Sequence, residues 1–506
     1  MIATMKKLAF LLTCLVLAFP ASAQTNTNLR TTIRQMQGNA GLKGATWGVL
    51  AVRLGGDTLA AFNADKRMVP ASNVKVITAG AALHSLGSDY RFKTDLAYSG
   101  RIVDGVLQGD LYIVGGGDPT TASKYDCAVP MEELFAQWKQ ILDGAGIRAI
   151  EGTIVGDGRG WGGRVPCKDW SGEDLGFYYG AAPGALNFYE NAQDFTVAPD
   201  DTVGHPVQVT PFFPDAPWMI FNHSAVTGAQ GSGDQLLYSA SDAGPFGRMY
   251  GKFAVDRKSK VEECINHFPE YTCAYYFHNY LMEHGLEVGN AFAEVSPYGL
   301  IRRDMFLYDD GEPAATTREM TRLGSTQSPA LIRIVGEMMK RSDNFYAEAV
   351  LKAMGQDTYG RAILDSALLA EKRVLGSLGL KTDGIIQLRD GSGLARTNYV
   401  SPAFFVQFLR TMARQSEYRD FRQCFPQPGQ GTLVSRMSKA DATLKKRAYM
   451  KSGSMNGVRC FCGYVTPADG RGENTIVFSL MINNATATSA TLNPLIDQIL
   501  TAIASQ

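Results

Sequence analysis

The chain has 506 residues, with 49 Lys and Arg against 49 Asp and Glu and only 19% charged residues overall. That balance provides no electrostatic footprint for nucleic acid or for a strongly acidic partner, and the length allows two to four domains with a substantial core. Glycine is abundant at 53 residues, which suits a chain with many strands and turns.

Residues 1–23 read as a targeting segment. Lys6 and Lys7 give a basic start, Leu8 to Phe19 an apolar run, and Ala21-Ser22-Ala23 a small-residue cleavage site, so the mature chain is expected to begin at Gln24 outside the cytoplasm, in the bacterial periplasm. Cys14 lies inside the apolar run, which disfavours a lipoprotein anchor. That run is short for a membrane span and no later stretch is long and apolar enough to be one, so no transmembrane anchor is expected. Removing the segment leaves seven cysteines. An oxidising compartment predicts disulfides, by proximity Cys264 with Cys273, Cys127 with Cys167, and Cys424 with Cys460 or Cys462, with one thiol left over. No cysteine–histidine spacing forms a metal site, and nothing implies a cofactor.

In chain order, Asn28 to Gln37 reads as a helix, and Thr46–Arg53 and Thr58–Phe62 as strands around the Gly55-Gly56-Asp57 turn. A helix-like run then begins near Pro70-Ala71-Ser72-Asn73-Val74-Lys75. From about Tyr90 to Asp310 the texture becomes short strands with frequent Gly and Pro, and only Met131 to Leu142 and Ala274 to His284 read as helices. Leu111 to Val114 leads into Gly115-Gly116-Gly117-Asp118-Pro119, and Thr153 to Val155 into Gly156-Asp157-Gly158; both are strands ending in tight turns, and neither completes a phosphate-binding pattern. Helices return with Ser328-Pro329, read as a cap with Pro at the first position, then Phe345 to Met354 and Thr358 to Leu378. Asp390-Gly391-Ser392-Gly393-Leu394 is turn-rich. A helix follows from Pro402 to Ala413, then strands Val458 to Val465 and Asn474 to Ile482, and a last helix from Leu492 to Ala504.

Three short stretches carry chemistry. Ser72 and Lys75, three residues apart at a helix start, put a hydroxyl and an amine on one face. Serine needs a nearby base to act as a nucleophile, and a buried lysine of lowered pKa can supply it. In Ser342-Asp343-Asn344, alternate residues can project the same way while Asp343 turns back into the protein. Lys451-Ser452-Gly453 precedes the strand Val458 to Val465. Each triplet recurs by chance, but S-x-x-K, S-D-N and K-S-G in this order form the three-part signature of penicillin-binding proteins and serine β-lactamases, with Ser in place of the commoner Thr in the last box.

On these boxes, together with Gly109-Asp110-Leu111-Tyr112 through Pro119, Asn187 with Asn191, Ser342 through Glu348, Asp390 through Leu394, Gly431-Thr432-Leu433, Gly463-Tyr464-Val465 and Asn483, the chain resembles the S13 peptidases, the class C low-molecular-mass penicillin-binding proteins. Lys75 and Ser342 are 267 positions apart, far more than a compact β-lactamase needs. The resemblance implies a mixed α/β (α+β) fold, in which residues 24–96 and 316–506 form a penicillin-binding domain, an antiparallel sheet with helices on both faces, and residues 97–315 form inserted β-rich domains.

The resemblance also implies a serine D-Ala-D-Ala carboxypeptidase/endopeptidase acting on peptidoglycan stem peptides. Ser72 would be the nucleophile, Lys75 its base and Ser342 the proton shuttle to the leaving nitrogen. Asn344, Lys451, Ser452, Gly453 and Ser454 would bind substrate, Lys451 through the terminal carboxylate, and the N–H groups of Ser72 and Ser454 would form the oxyanion hole. β-Lactams would be covalent inhibitors. Carboxypeptidase and endopeptidase action attack the same D-Ala carbonyl and differ in the leaving amine. A β-lactamase or esterase on the same scaffold, or a penicillin-sensing protein without turnover, are the alternative readings; no oligomeric state is read from the sequence.

Overall fold

The computed structural model describes residues 29–241, 244–289, 292–295, 301–302 and 320–506. The expected targeting segment 1–23 and the expected junction at 315–316 lie outside the described residues.

The two ends of the chain build one five-stranded antiparallel sheet, in the order Thr58–Phe62, Thr46–Arg53, Ile476–Asn483, Val458–Val465, Ala448–Met455. The first and last thirds meet along a full ladder, from Thr46 opposite Asn483 to Arg53 opposite Ile476. Because side chains alternate along a strand, Trp47, Val49, Phe478, Leu480 and Ile482 enter one core with the terminal helices Leu29–Gln37 and Ser489–Ala504. Val52, Val477, Cys460, Cys462 and Tyr464 enter the opposite core. There the helices Val74–Leu86, Leu331–Arg341, Asn344–Tyr359, Leu364–Ser377 and Pro402–Met412 collect. The helix Val74–Leu86 is apolar all round because other helices surround it.

Between these parts lies a six-stranded mixed sheet, in the order Ile301–Arg302, Phe292–Val295, Ile154–Asp157, Leu111–Gly115, Lys93–Tyr98, Thr321–Gln327, with three-stranded and two four-stranded sheets beside it. Helices Met131–Gly144 and Pro269–Glu283 cover this region with an aromatic core around Phe135, Trp138 and Phe277. The expected cut at 96–97 falls inside the strand Lys93–Tyr98, which pairs with Thr321–Gln327 from end to end.

Some local expectations change. Ser328 does not cap the next helix, which starts at Leu331; its hydroxyl accepts the N–H of Phe92 and ties two strands' ends together. The run Thr358 to Leu378 is broken, because Gly360 turns left-handed and ends one helix before Leu364–Ser377 begins. Lys451 precedes the strand Val458–Val465 as expected, and also lies on a strand of its own, the sheet's edge strand Ala448–Met455.

None of the expected disulfides forms: all seven cysteines from Cys127 to Cys462 are free and buried. Sequence neighbours diverge into different cores, Cys264 into the one that holds the helices and Cys273 into the one around Trp138. Cys167 donates to the carbonyl of Arg389, Cys424 to that of Asp420 and Cys460 to that of Val69. They pack as small apolar side chains with weak donors.

Candidate active site

Ser72 lies in the tight turn Ala71–Asn73, which runs directly into the helix Val74–Leu86. Ala71 has φ of 47°, a left-handed conformation that costs a non-glycine residue energy and persists only where its surroundings fix it. Two contacts do so. The amide of Asn483 brackets Val69, accepting its N–H at 2.8 Å and donating to its carbonyl at 3.0 Å. On the other side Gly393 packs so closely that a Cβ there would sit 2.0 Å from the Ala71 carbonyl.

One turn on, Lys75 is fully buried. Its Nζ has three partners: Ser72 Oγ at 3.2 Å, Asn344 Oδ1 at 2.6 Å and the carbonyl of Ser392 at 2.6 Å. The Asn344 amide is oriented by its other end, since Nδ2 donates to the carbonyl of Tyr179 at 2.9 Å. Ser392 is presented by two carboxylates: Glu348 accepts the N–H groups of Gly391 and Ser392, and Asp390 accepts those of Gly393 and Ala395 and the indole N–H of Trp170. The turn-rich stretch Asp390 to Leu394 is thus a wall of the site.

The S-D-N triplet divides its work as alternation suggests. Ser342 ends one helix with φ of 65°, and Asp343 caps the next, its Oδ1 accepting the N–H of Tyr346 at 2.8 Å. Asp343 therefore turns away while Ser342 and Asn344 face the lysines. Ser342 Oγ accepts from Lys451 Nζ at 2.7 Å, and Lys451 also donates to the carbonyl of Ser452 at 2.7 Å. The Ser452 and Thr432 hydroxyls share a hydrogen bond of 2.8 Å. Gly453 lets the edge strand ride over the Ser72 turn: a Cβ there would lie 2.6 Å from the Pro70 carbonyl and 3.0 Å from the Asn73 nitrogen. Ser454 is exposed at the strand's outer end, opposite Arg459.

Burial lowers the Lys75 pKa to about 8, against the opposing pull of Asp343, Asp390 and Glu348. Lys451 is driven well below the usual lysine range, by burial first and by the Lys75 charge second. Burial raises Asp343, partly offset by its bonds to Tyr346 and Tyr125. The eight sequence-predicted residues thus come from three separate stretches and converge, Ser454 at the rim. Sequence reasoning missed the carbonyl of Tyr179, for which no motif exists, and the role of Glu348, which lies four residues after Asn344 on the same helical face and could have been found by that spacing. Among the described residues no cluster of His, Cys, Asp and Glu could hold a metal ion.

Comparison with known proteins bears on the family and the fold. A profile of the D-Ala-D-Ala carboxypeptidase 3 (S13) family matches residues 29–295 and 311–503. The chain is 29% identical over 479 residues to a D-alanyl-D-alanine carboxypeptidase of Actinomadura sp. strain R39, covering 92% of this chain and 82% of that one. It is 26% identical over 432 residues to the D-alanyl-D-alanine carboxypeptidase DacB of Haemophilus influenzae, covering 84% and 82%. The crystal structure of penicillin-binding protein 4 (dacB) from H. influenzae shares the fold, with a TM-score of 0.75 at 24% identity over 92% of this chain and 98% of that one. With the family profile spanning nearly the whole described chain and the sheet built from both chain ends, the chain belongs to the D-Ala-D-Ala carboxypeptidase 3 (S13) family, and its activity is that of a serine-type D-Ala-D-Ala carboxypeptidase.

Proposed function

We propose that the enzyme works through an acyl-enzyme on Ser72, with Lys75 as the base. The observation that carries this reading is the partner set of Lys75. Two of its three neighbours, the Ser392 carbonyl and the Asn344 Oδ1, can only accept hydrogen bonds. A neutral amine has two N–H bonds and one lone pair. Both N–H bonds are committed to those acceptors, so the lone pair faces the one neighbour that can give a proton, the Ser72 hydroxyl. Attack on the D-Ala carbonyl then transfers that proton to Lys75 as the C–O bond forms.

Ser342 completes the proton's path: the proton that Lys75 took from Ser72 reaches the departing nitrogen through the Ser342 hydroxyl, which releases one proton as it accepts another while holding a hydrogen bond from Lys451. Burial disfavours the Lys451 ammonium, and a substrate carboxylate would supply the counter-charge that favours it. The N–H groups of Ser72 and Ser454 flank the place of the developing oxyanion, each donor worth about 3–4 kcal/mol in acyl transfer. Asn344, Ser452 and Gly453 complete the substrate-binding wall. The substrates are peptidoglycan stem peptides ending in D-Ala-D-Ala, with release of either the terminal D-alanine or a cross-linking amine, and penicillins acylate the same serine. The protein acts after export to the bacterial periplasm. Residues 24–96 and 316–506 form the catalytic domain and 97–315 the inserted region, with the pairing of Lys93–Tyr98 and Thr321–Gln327 favouring its root at those two strands.

The test uses defined muropeptides, monomeric and cross-linked, analysed by mass before and after incubation, together with fluorescent penicillin. Ser72→Ala is expected to abolish both turnover and labelling with the fold intact, since it removes one oxygen. Labelling of that variant at another residue would overturn the assignment.

A further inference from the structure

Ser342 and Asn344 face two lysines, but what braces them from behind comes from the inserted region. The segment Ser123-Lys124-Tyr125 docks there. Tyr125 donates its phenol to Asp343 Oδ2 at 2.8 Å, and the hydroxyls of Ser123 and Tyr346 share a hydrogen bond of 2.8 Å. The rings of Tyr125 and Tyr346 meet edge to face with centroids 5.5 Å apart, and the Arg341 guanidinium lies 4.5 Å over Tyr125. Tyr125 is thus gripped by the residues just before and just after the loop it supports.

Asp343 divides its two oxygens between two scales. Oδ1 makes the local cap to Tyr346, which any helix of this sequence could form alone. Oδ2 reaches 218 residues away to Tyr125, next to the left-handed Ser342. We propose that Tyr125 is a positioning residue: it acts through Asp343 to hold Ser342 and Asn344 at the lysines, and makes the inserted region part of the catalytic apparatus. The inference rests on the reading of Ser72, Lys75 and Ser342 above.

The segment has a firm seat. Lys124 pairs with Glu263 and, at 3.6 Å, with Asp194, and lies 5.0 Å over the Tyr189 ring. Below it Tyr189, Glu190 and Asn191 are three consecutive left-handed residues, with φ of 50°, 54° and 50°. Such a run persists only where surrounding contacts over-determine it. The same region also supplies the Tyr179 carbonyl that orients Asn344, so both Asp343 and Asn344 hold one bond each into the insertion. No hydrogen bond among the described residues joins Tyr125 to Ser72, Lys75 or Lys451, which is why its action is through Asp343.

The test is Tyr125→Phe, alone and combined with Asp343→Ala, in the full-length enzyme. The substitution keeps the ring, its packing on Tyr346 and the Arg341 contact, and removes one oxygen. On a diacyl-L-lysyl-D-Ala-D-Ala peptide kcat is expected to fall about tenfold, the value of one charge-assisted hydrogen bond. KM should stay within about twofold and Tm within a few degrees, since substrate contacts and core are kept. In the Asp343→Ala background, where no side-chain polar group faces the phenol, Tyr125→Phe should cost nothing further. A kcat within about twofold of the parent, a loss confined to KM, or losses that multiply in the double variant would each overturn the proposal. Benzylpenicillin labelling, mapped by mass spectrometry on the same samples, separates the two readings. A parent enzyme labelled elsewhere than Ser72 overturns both, whereas Ser72 labelling with an unimpaired Tyr125→Phe overturns this one alone.

Discussion

Lys75 is where the proposed chemistry is most exposed to measurement. An ordinary lysine holds its proton to a pH well above neutrality and cannot accept one from serine. Here complete burial brings the pKa to about 8, although Asp343, Asp390 and Glu348 favour the charged form. The sign follows: a base of lowered pKa is active when deprotonated, so acylation falls as pH drops through that value. The rate of acylation by a penicillin is expected to rise about tenfold per pH unit below about pH 8 and to level off above it. Stopped-flow measurement across that range checks it, and a profile flat from about pH 5 to 9 would remove Lys75 from the role. Asp343, by contrast, is held out of the chemistry by its geometry, both oxygens being committed to Tyr346 and Tyr125.

At the scale of elements, the site depends on how closely the edge strand Ala448–Met455 approaches the Ser72 turn. Gly453 sets that distance. Its φ is not in the left-handed region, so the requirement is spatial: Cβ would collide with the Pro70 carbonyl, which is backbone and cannot move aside cheaply. Gly453→Ala is therefore expected to lower kcat/KM by about 10- to 100-fold through displacement of Lys451 and the Ser454 N–H, with a much smaller change in Tm. Activity within about twofold of the parent would show that the strand can yield. The strands Thr46–Arg53, Thr58–Phe62 and Val458–Val465 were legible because apolar side chains fill two cores on alternate positions. The edge strand Ala-Tyr-Met-Lys-Ser-Gly-Ser-Met was not, because half its residues serve the site rather than a core. The three boxes point to Ser72, Lys75, Ser342, Asn344 and Lys451 because the chemistry proposed for them is in side chains. Tyr179 and Ser392 act through carbonyls, which every residue has, and Tyr125 acts across 218 positions. Cysteine spacing misled for Cys264 and Cys273, which lie close along the chain but enter different cores.

For the molecule as a whole, packing of both the catalytic domain and the inserted region buries acidic groups that elsewhere would be solvated. Burial pushes Glu190 and Glu371 up to about 8 and Asp118 to about 6, and also raises Glu348 and Glu294, each beside a further carboxylate. Glu371 joins the core helices through Thr78, Glu190 lies under the Ser123–Tyr125 segment, and Glu294 sits on the six-stranded sheet. The cost of ionising them is thus spread over both parts of the molecule. For an acid whose folded pKa is raised, the folded state holds its proton where the unfolded chain has lost it. Stability is then full below the unfolded value near 4.5 and is lost as pH climbs through the folded value. Glu417, lowered by its bond to His84, works in the opposite sense, but its window lies below that range. The urea midpoint is therefore expected to fall continuously from about pH 5 to 8, by at least about 1 kcal/mol in unfolding free energy. Over the same interval, catalysis is expected to rise as Lys75 deprotonates. A midpoint that is flat or rises with pH would show that these carboxyls are already ionised in the folded protein; Glu371→Gln, which carries the neutral form permanently, is expected to flatten part of the slope.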